Sequence, residues 1–584
     1  MTALTSRGFA ALASGDWETA ELSFTEALRE NPYDMEANLG MARMALDAGY
    51  PEDVLHFTRI PEIANVHLAD LEYRALNSLG RSGEAFIRGL VFLRKHPEES
   101  AFRLRLGSDL LADARHAEAL EVFREGAERE PRNHLMAGGE AAACHMLGRM
   151  DECRSAVERR LELLPDDPIV FSQWIALHAG KASVDNRVML DISMGWDRRF
   201  GKPLSCFKGV RTGSRGSATD GKIRVGFVSS TFQHHANCQF LLPLLEALDR
   251  EILMVFAYHD GSHHDEVTKR CEASVDMFHR IHGMPEMKVA EMISRDRIDV
   301  LVDINAHFDN ARLRLFTYRA APVQVHYLGG VASTGLQCMD WRIADDLTEP
   351  TGSGDSEIGT ERIFRVEGGI HTFHPLHHAA DPGSLPMGSN GFVTFGCLSA
   401  LSKIEGPVLD LWARCLKEMP DARLRLVKET FRHEANRVDF SRRAGHHGID
   451  LSRLDLIPGD VSAFNDLSVY HGIDIALDTF PYSGITTTCE ALWMGVPVVT
   501  LCGNRFVARE ASAILTRVGH PEWVAVDFQN YIEVAQSLAA NPYALGAIRQ
   551  NLRAEFMRSP LHDAARLAKE MARFFRQAVI QQKI

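Results

Sequence analysis

The densest chemistry in the chain lies between Ile473 and Thr500, in the string IDIALDTFPYSGITTTCEALWMGVPVVT. Ile473–Leu477 is apolar and reads as a buried strand. A loop with Tyr482, Ser483 and Gly484 follows, then Thr486, Thr487 and Thr488 at the start of a helix predicted from about Thr487. A second strand follows Gly495 and Pro497. A strand, a glycine-bearing loop and a hydroxyl-rich helix start make an anion site. Free N–H groups and the positive end of the helix dipole point at the loop, and the hydroxyls add donors. The arrangement suits a diphosphate, with Glu490 placed to accept from a ribose hydroxyl. Thr487-x-x-Glu490 is equally a capping box, which would engage both side chains structurally. Both readings fit the spacing.

Histidine is abundant, with pairs at His234–His235, His263–His264 and His377–His378. Ser262-His-His-Asp265 follows a strand and reads as a polar loop. His371, His374, His377 and His378 lack the compact helix-face spacing of a ligand set, so no metal site is expected. There is no DxD motif.

The elements that must position these residues alternate. Candidate strands are Ile223–Ser229, Leu253–Tyr258, Val300–Ile304, Val323–Leu328 and Trp341–Ala344. After a break near Asp381–Ser389 come Phe392–Gly396, Leu424–Val427, Asp455–Ile457, Ile473–Leu477 and Val496–Leu501. Amphipathic runs such as Glu405–Met419 separate them. Two blocks of strand–helix alternation predict two doubly wound parallel sheets, with ligands beyond the carboxyl ends of the strands.

The first 180 residues are of another kind. Ala20, Phe24, Ala27 and Pro32 define a pattern that recurs at Ala119, Phe123, Gly126 and Pro131. It recurs more loosely at Ala85, Gly89, Phe92 and Pro97, at Cys153, Val157, Arg160 and Pro165, and weakly around Gly40–Pro61. Prolines 97, 131 and 165 keep a 34-residue period. That period and pattern resemble the tetratricopeptide repeat, a helix–turn–helix unit whose arrays present a groove for peptides. About five units fit within residues 1–170. Val184–Phe200 reads as one more helix, and the Gly/Ser-rich stretch Gly213–Gly221 as the domain boundary.

Composition bounds the partners. The 584 residues carry 64 basic and 78 acidic side chains, a net charge of −14. A general nucleic-acid or anionic-membrane binder is not expected from that balance. No apolar run approaches a membrane span, and the N-terminus has no signal-peptide pattern. The ten cysteines form no CxxC pair and read as reduced thiols of a cytoplasmic protein.

The string LDTFPYSGITTTCEALWMGVPVVTL resembles the C-lobe signature of the SPINDLY and O-linked N-acetylglucosamine transferase family. Lys222–His235 is similar to the family's first N-lobe strand and loop, and Arg319–Gly330 to its "RPAPVQV" strand. Asn390–Gly396 with Ser402-Lys-Ile404 is similar to its C-lobe entry. The likeness runs in order over about 220–560. It implies a repeat array at 1–180, a linker with a helix at 181–221, and a GT-B glycosyltransferase of two facing Rossmann-like lobes. These are an acceptor-side N-lobe at 222–385 and a nucleotide-sugar C-lobe at 386–560, with a C-terminal helix at 561–584.

The resemblance also implies roles. His235 falls on the catalytic-loop histidine, as a base or as a hydrogen-bonding partner of donor or acceptor. Lys403 falls on a lysine that neutralises the leaving diphosphate. Tyr482, Gly484, Thr486, Thr487, Glu490 and Arg509 fall in the donor site. The implied reaction is inverting, metal-independent and cofactor-free transfer of a sugar to Ser or Thr of a protein. UDP-GlcNAc is the first candidate donor and GDP-fucose the alternative, with flagellin a candidate acceptor held by the repeat groove. A weakly catalytic repeat scaffold is the rival reading. Two departures bear on the donor: Ala400 replaces a polar residue of several relatives, and Gly459–Tyr470 lacks their basic and histidine side chains, with Ala463 and Val469 there instead.

Overall fold

The computed structural model describes residues 2–59, 65–201, 221–309, 311–330, 332–352, 358–460 and 464–582. Most of the predicted boundary segment, residues 213–220, and Ala463 lie outside them, as does Pro61 of the weak repeat. The chain divides into two compact units, Met1–Ala143 and Cys144–Ile584.

The first unit is helical. Among the described residues its helices begin with the pairs Ala3–Ala13 with Trp17–Glu30 and Met35–Asp47 with Pro51–Thr58. Val66–Ser78 with Ser82–Lys95 and Ser100–Ala112 with His116–Arg129 follow. The prolines of the repeat pattern fall just past the second helix of a pair, as at Pro32, Pro97 and Pro131, where no helix can continue. The small residues of the pattern make room for its aromatics. A methyl group added to Gly8 or Gly40 would fall within 2.5 Å of the Phe24 ring. The same arrangement recurs 99 residues on, with Gly107 and Gly139 around Phe123. Phe123→Ala is therefore expected to destabilise this unit by about 3–5 kcal/mol, read by chemical denaturation. An unchanged midpoint would show that the aromatic socket carries no packing.

The second unit opens on the rest of the helical region, Met150–Leu163, Pro168–Ala179 and Asn186–Phe200. Ion pairs tie it to the last lobe: Arg154 to Glu405 at 2.8 Å and Arg149 to Asp439 at 3.3 Å. Ile175 and Trp196 join the apolar core beneath the first sheet.

Two parallel sheets follow. The first holds β1 (Ile223–Ser229), β2 (Leu253–His259), β3 (Met277–Arg280), β4 (Val300–Asp303), β5 (Val323–His326), β6 (Trp341–Ala344) and β7 (Arg362–Arg365). Its order is β3-β2-β1-β4-β5-β6-β7. The second holds β8 (Thr394–Cys397), β9 (Arg423–Lys428), β10 (Leu454–Pro458), β11 (Ile475–Leu477), β12 (Val498–Leu501) and β13 (Val524–Ala525), in the order β10-β9-β8-β11-β12-β13. Both orders reverse beside their first strand, so each sheet opens a crevice where that strand meets its fourth-listed neighbour, β1 with β4 and β8 with β11. The C-terminal helix Ala564–Gln582 returns to the first sheet, burying Leu567, Met571, Phe574 and Phe575 in its core. This is the predicted GT-B architecture with its helical N-terminal region.

Three strands escape the sequence reading: β3, β7 and β13. Met277–Arg280 and Arg362–Arg365 are short edge strands that bury at most one residue, and β13 has two residues. None carries the apolar run that marks a buried central strand.

Candidate active site

The loops beyond the carboxyl ends of β8 and β11 meet at the second sheet's switch point. Lys403 ends a short 3-10 turn after β8, and its Nζ donates to the Ser483 carbonyl at 2.9 Å. The ammonium also lies 3.9 Å from the centre of the Tyr482 ring, a cation–π contact. Ser483 is locked from behind: its N–H and hydroxyl both donate to the Val507 carbonyl, at 3.0 and 2.9 Å.

Lys403 is half-buried and, among the described residues, has no carboxylate within 4 Å. Burial brings its pKa down to about 8, against the raising influence of Asp478 and Glu510. Neither acid neutralises it by contact. Asp478 accepts from Gly484 N–H and Thr500 Oγ1, both at 2.7 Å. Burial holds the Glu510 carboxyl well above the usual carboxylate range. A dehydrated cation without a counter-ion is costly in a resting fold. A bound anion would remove that cost.

The helix Thr486–Trp493 starts one residue earlier than its spacing predicts. Its N-cap is Ile485, and no side chain caps it. The capping box is therefore not formed, and the first-turn N–H groups face the site without a side-chain acceptor. Thr486 and Thr487 open the helix, with Thr487 Oγ1 3.2 Å from Ser399 Oγ. The Gly484 N–H is taken up by Asp478, so this glycine serves by its shape. A Cβ there would lie 2.7–2.9 Å from Thr488 Oγ1, Asp478 Oδ1 and Thr487 Oγ1.

Glu490 faces the opposite lobe. Its carboxylate accepts from Gln239 Nε2 at 2.8 Å and from the Tyr470 hydroxyl at 3.2 Å. Burial raises its pKa. Arg509 donates from Nε to the Gly503 carbonyl at 2.9 Å and so braces the loop after β12.

His235 comes from the loop after β1, at the first sheet's switch point. The loop is pinned by Asn305 Oδ1, which accepts from Ser229 Oγ and the Ser230 N–H, and by Asp265, which accepts from His234 N–H at 2.7 Å. His235 Nδ1 accepts from the Asn237 N–H at 3.2 Å, which puts the neutral ring's proton on Nε2. Nε2 lies 3.8 Å from Asp309 Oδ2. Asp309, in the loop after β4, has the left-handed φ of 54°. Burial lowers the His235 pKa, partly offset by Asp309. Phe308 beside it meets the Tyr482 ring edge-on at 6.3 Å, so the His235 loop and the Lys403 site face one cleft.

Sequence reasoning missed Asp309, Gln239, Tyr470 and Lys428, treated below. None carries a local motif; each is brought in by strand order. Of the other histidines singled out in the sequence, His374 stacks on His562, His264 bonds Arg280, His371 lies 3.4 Å from Glu510, and the His377 ring packs on His234 in the loop that carries His235. Among the described residues no group of three His, Cys, Asp or Glu is placed to hold a metal, and no helix is long and apolar enough to cross a membrane.

Comparison with known proteins bears on the fold and the family. The chain is 34% identical over 343 residues to an Arabidopsis thaliana protein named as a probable UDP-N-acetylglucosamine–peptide N-acetylglucosaminyltransferase SPINDLY. The match covers 58% of this chain and 37% of that one. A Solanum lycopersicum protein of the same name is 31% identical over 385 residues, 65% of this chain and 41% of its own. The chain thus spans less than half the length of these curated relatives. Among solved structures, an O-GlcNAc transferase mutant from Thermobaculum terrenum matches with a TM-score of 0.71 at 27% identity, covering 99% of this chain and 98% of that one. The sequence model of glycosyl transferase family 41 matches residues 208–358 and 385–571, which hold all the strands of the two sheets except β7. The chain belongs to glycosyl transferase family 41.

Proposed function

We propose that the protein transfers a sugar from a nucleotide-sugar donor to Ser or Thr hydroxyls of a protein, with UDP-GlcNAc the first candidate donor. The observation that carries this reading is Lys403, a half-buried cation with no carboxylate partner among the described residues, beside an uncapped, hydroxyl-rich helix start. A leaving nucleoside diphosphate supplies the missing negative charge. Its negative charge grows as the glycosidic bond breaks, so Lys403 and the first-turn N–H groups bind the transition state more tightly than the ground state. Thr486 and Thr487 add hydroxyl donors. Tyr482 positions Lys403 from below, Gly484 keeps the loop close to the helix, and Arg509 braces the neighbouring loop. Glu490 accepts from the ribose.

The acceptor oxygen attacks from the N-lobe side, opposite the departing diphosphate, which inverts the anomeric carbon. With its Nδ1 lone pair engaged by Asn237, His235 serves as an Nε2–H donor that orients the acceptor or sugar. It becomes a base at Nε2 only as the other tautomer, with its proton on Nδ1 and the Asn237 hydrogen bond given up. A divalent metal has no assigned part, since lysine and helix start suffice for the charge. The helical repeats are the natural holder of a polypeptide acceptor, flagellin being one candidate. The names of the relatives support UDP-GlcNAc, whereas Ala400 and the non-basic Val469 keep GDP-fucose as the second reading.

Calorimetric titration with UDP and GDP tests this, and pH adds a signature. Lys403 must be protonated to bind, and its free-state pKa is about 8. Affinity is therefore expected to stay level from pH 7 to 7.5 and to fall at least about 10-fold by pH 9. Binding that is flat to pH 9, or absent for both nucleotides, would contradict the assignment of Lys403 to the diphosphate.

A further inference from the structure

A second cation faces the same helix start. Lys428 is the last residue of β9, and its Nζ donates to the carbonyl of Leu398, just past β8. Like Lys403 it is half-buried, with no carboxylate within 4 Å among the described residues. Burial, with the repulsion of Lys403 adding to it against the pull of Cys397 and Glu490, brings its pKa down to about 8. Two ammonium groups that repel each other, each hydrogen-bonded to a carbonyl and, among the described residues, neither paired with a carboxylate within 4 Å, are not a device for stability. They balance a ligand carrying two negative charges. The Ser399–Thr487 hydroxyl pair belongs to the same loops, Ser399 next to Leu398 and Thr487 three residues past Gly484.

The two lysines are not equivalent. Lys403 lies on Tyr482, which meets Phe308 next to Asp309 and His235, the reacting side of the cleft. Lys428 instead feels Glu490, whose carboxylate is held by Tyr470 and Gln239. We propose that Lys428 is a second phosphate-binding residue, which holds the nucleoside-side phosphate while Lys403 holds the sugar-side phosphate. The diphosphate then lies across the Ser399–Thr487 pair with its leaving oxygen towards Lys403. This orientation rests on the nucleotide-sugar reading of the cleft.

The test is the binding of UMP, UDP, GMP and GDP to the full-length wild type, Lys428→Met and Lys403→Met at pH 7.5. Lys428→Met is expected to weaken the monophosphate and diphosphate of the preferred base alike, by about 10-fold or more. Lys403→Met is expected to weaken the diphosphate by as much and leave the monophosphate within about 3-fold. Lys428→Arg, which keeps the charge, should recover part of the affinity, separating a phosphate contact from a packing defect. Wild-type monophosphate affinity in Lys428→Met, or equal monophosphate loss in the two methionine variants, would overturn the orientation. A wild type that binds none of the four nucleotides would overturn the cleft reading as well.

Discussion

Lys403→Met is expected to lower the rate of sugar transfer by about 100- to 1,000-fold, the usual cost of removing one preorganised donor to a developing negative charge. The same substitution should leave the ligand-free protein at or above the wild-type melting temperature. The two effects have one cause. Lys403 is half-buried, donates to the Ser483 carbonyl, lies on the Tyr482 ring and, among the described residues, has no carboxylate within 4 Å. Methionine fills similar space without the unpaired charge. A lysine held for stability would behave in the opposite way. The linkage has a definite sign: a lysine whose folded pKa lies near 8, below its unfolded value, makes the free protein gain stability as pH rises from 8 towards 10.5. Thermal melts of the variant should lack Lys403's share of that gain and the stabilisation by added nucleoside diphosphate. A variant that melts well below wild type, or keeps its nucleotide shift, would assign Lys403 to the fold.

Gly484→Ala is the second large effect. The added methyl would press on Asp478 Oδ1, Thr487 Oγ1 and Thr488 Oγ1, all closer than 3.0 Å. Asp478 cannot yield, because the Gly484 N–H and Thr500 hydroxyl hold both its oxygens. The loop must move away from the helix start, taking the Ser483 carbonyl and Tyr482 ring from under Lys403. The expected cost is about 1–3 kcal/mol of stability. A misplacement of this kind is worth about 100-fold in transfer. Gly546→Ala is the matched control: it lies inside the helix Pro542–Arg558 with open space around its Cβ position. That change should stabilise by about 0.5–1 kcal/mol and leave transfer alone. Equal behaviour of the two alanine variants in stability and kinetics would contradict the steric account of the donor loop.

What could be read in advance follows from how local each signal is. Phe24 and Phe123 betray the repeat because each sits between small residues and ahead of a proline at the same offsets, 99 residues apart; the glycine sockets that hold their rings appear only in the structure. The central strands β1, β4 and β8 announce themselves as apolar runs, whereas the edge strands β3 and β7 do not. The donor loop is compact in sequence, so Tyr482 to Glu490 stand out together. Lys428 stands alone at the end of an ordinary strand. Only the pairing of β9 beside β8 brings it to Leu398, and no residue spacing records that pairing. Asp309 and Gln239 are hidden in the same way, since strand order and the facing of two lobes bring them to the cleft. The choice between capping box and ligand site for Glu490 was open in the sequence. It turned on a single residue, because the helix begins at Thr486 with Ile485 as its cap, leaving Glu490 to Gln239 and Tyr470.

The most direct measurement is sugar transfer itself: purified wild type and Lys403→Met incubated with a degenerate pool of Ser/Thr-centred peptides and either UDP-GlcNAc or GDP-fucose, and read by peptide mass. The predicted result is the mass of one sugar on Ser- or Thr-containing peptides with wild type and one of the two donors, and its loss in the variant. Transfer undiminished in Lys403→Met, or no transfer from either donor by a wild type that binds the corresponding nucleotide, would contradict the central claim.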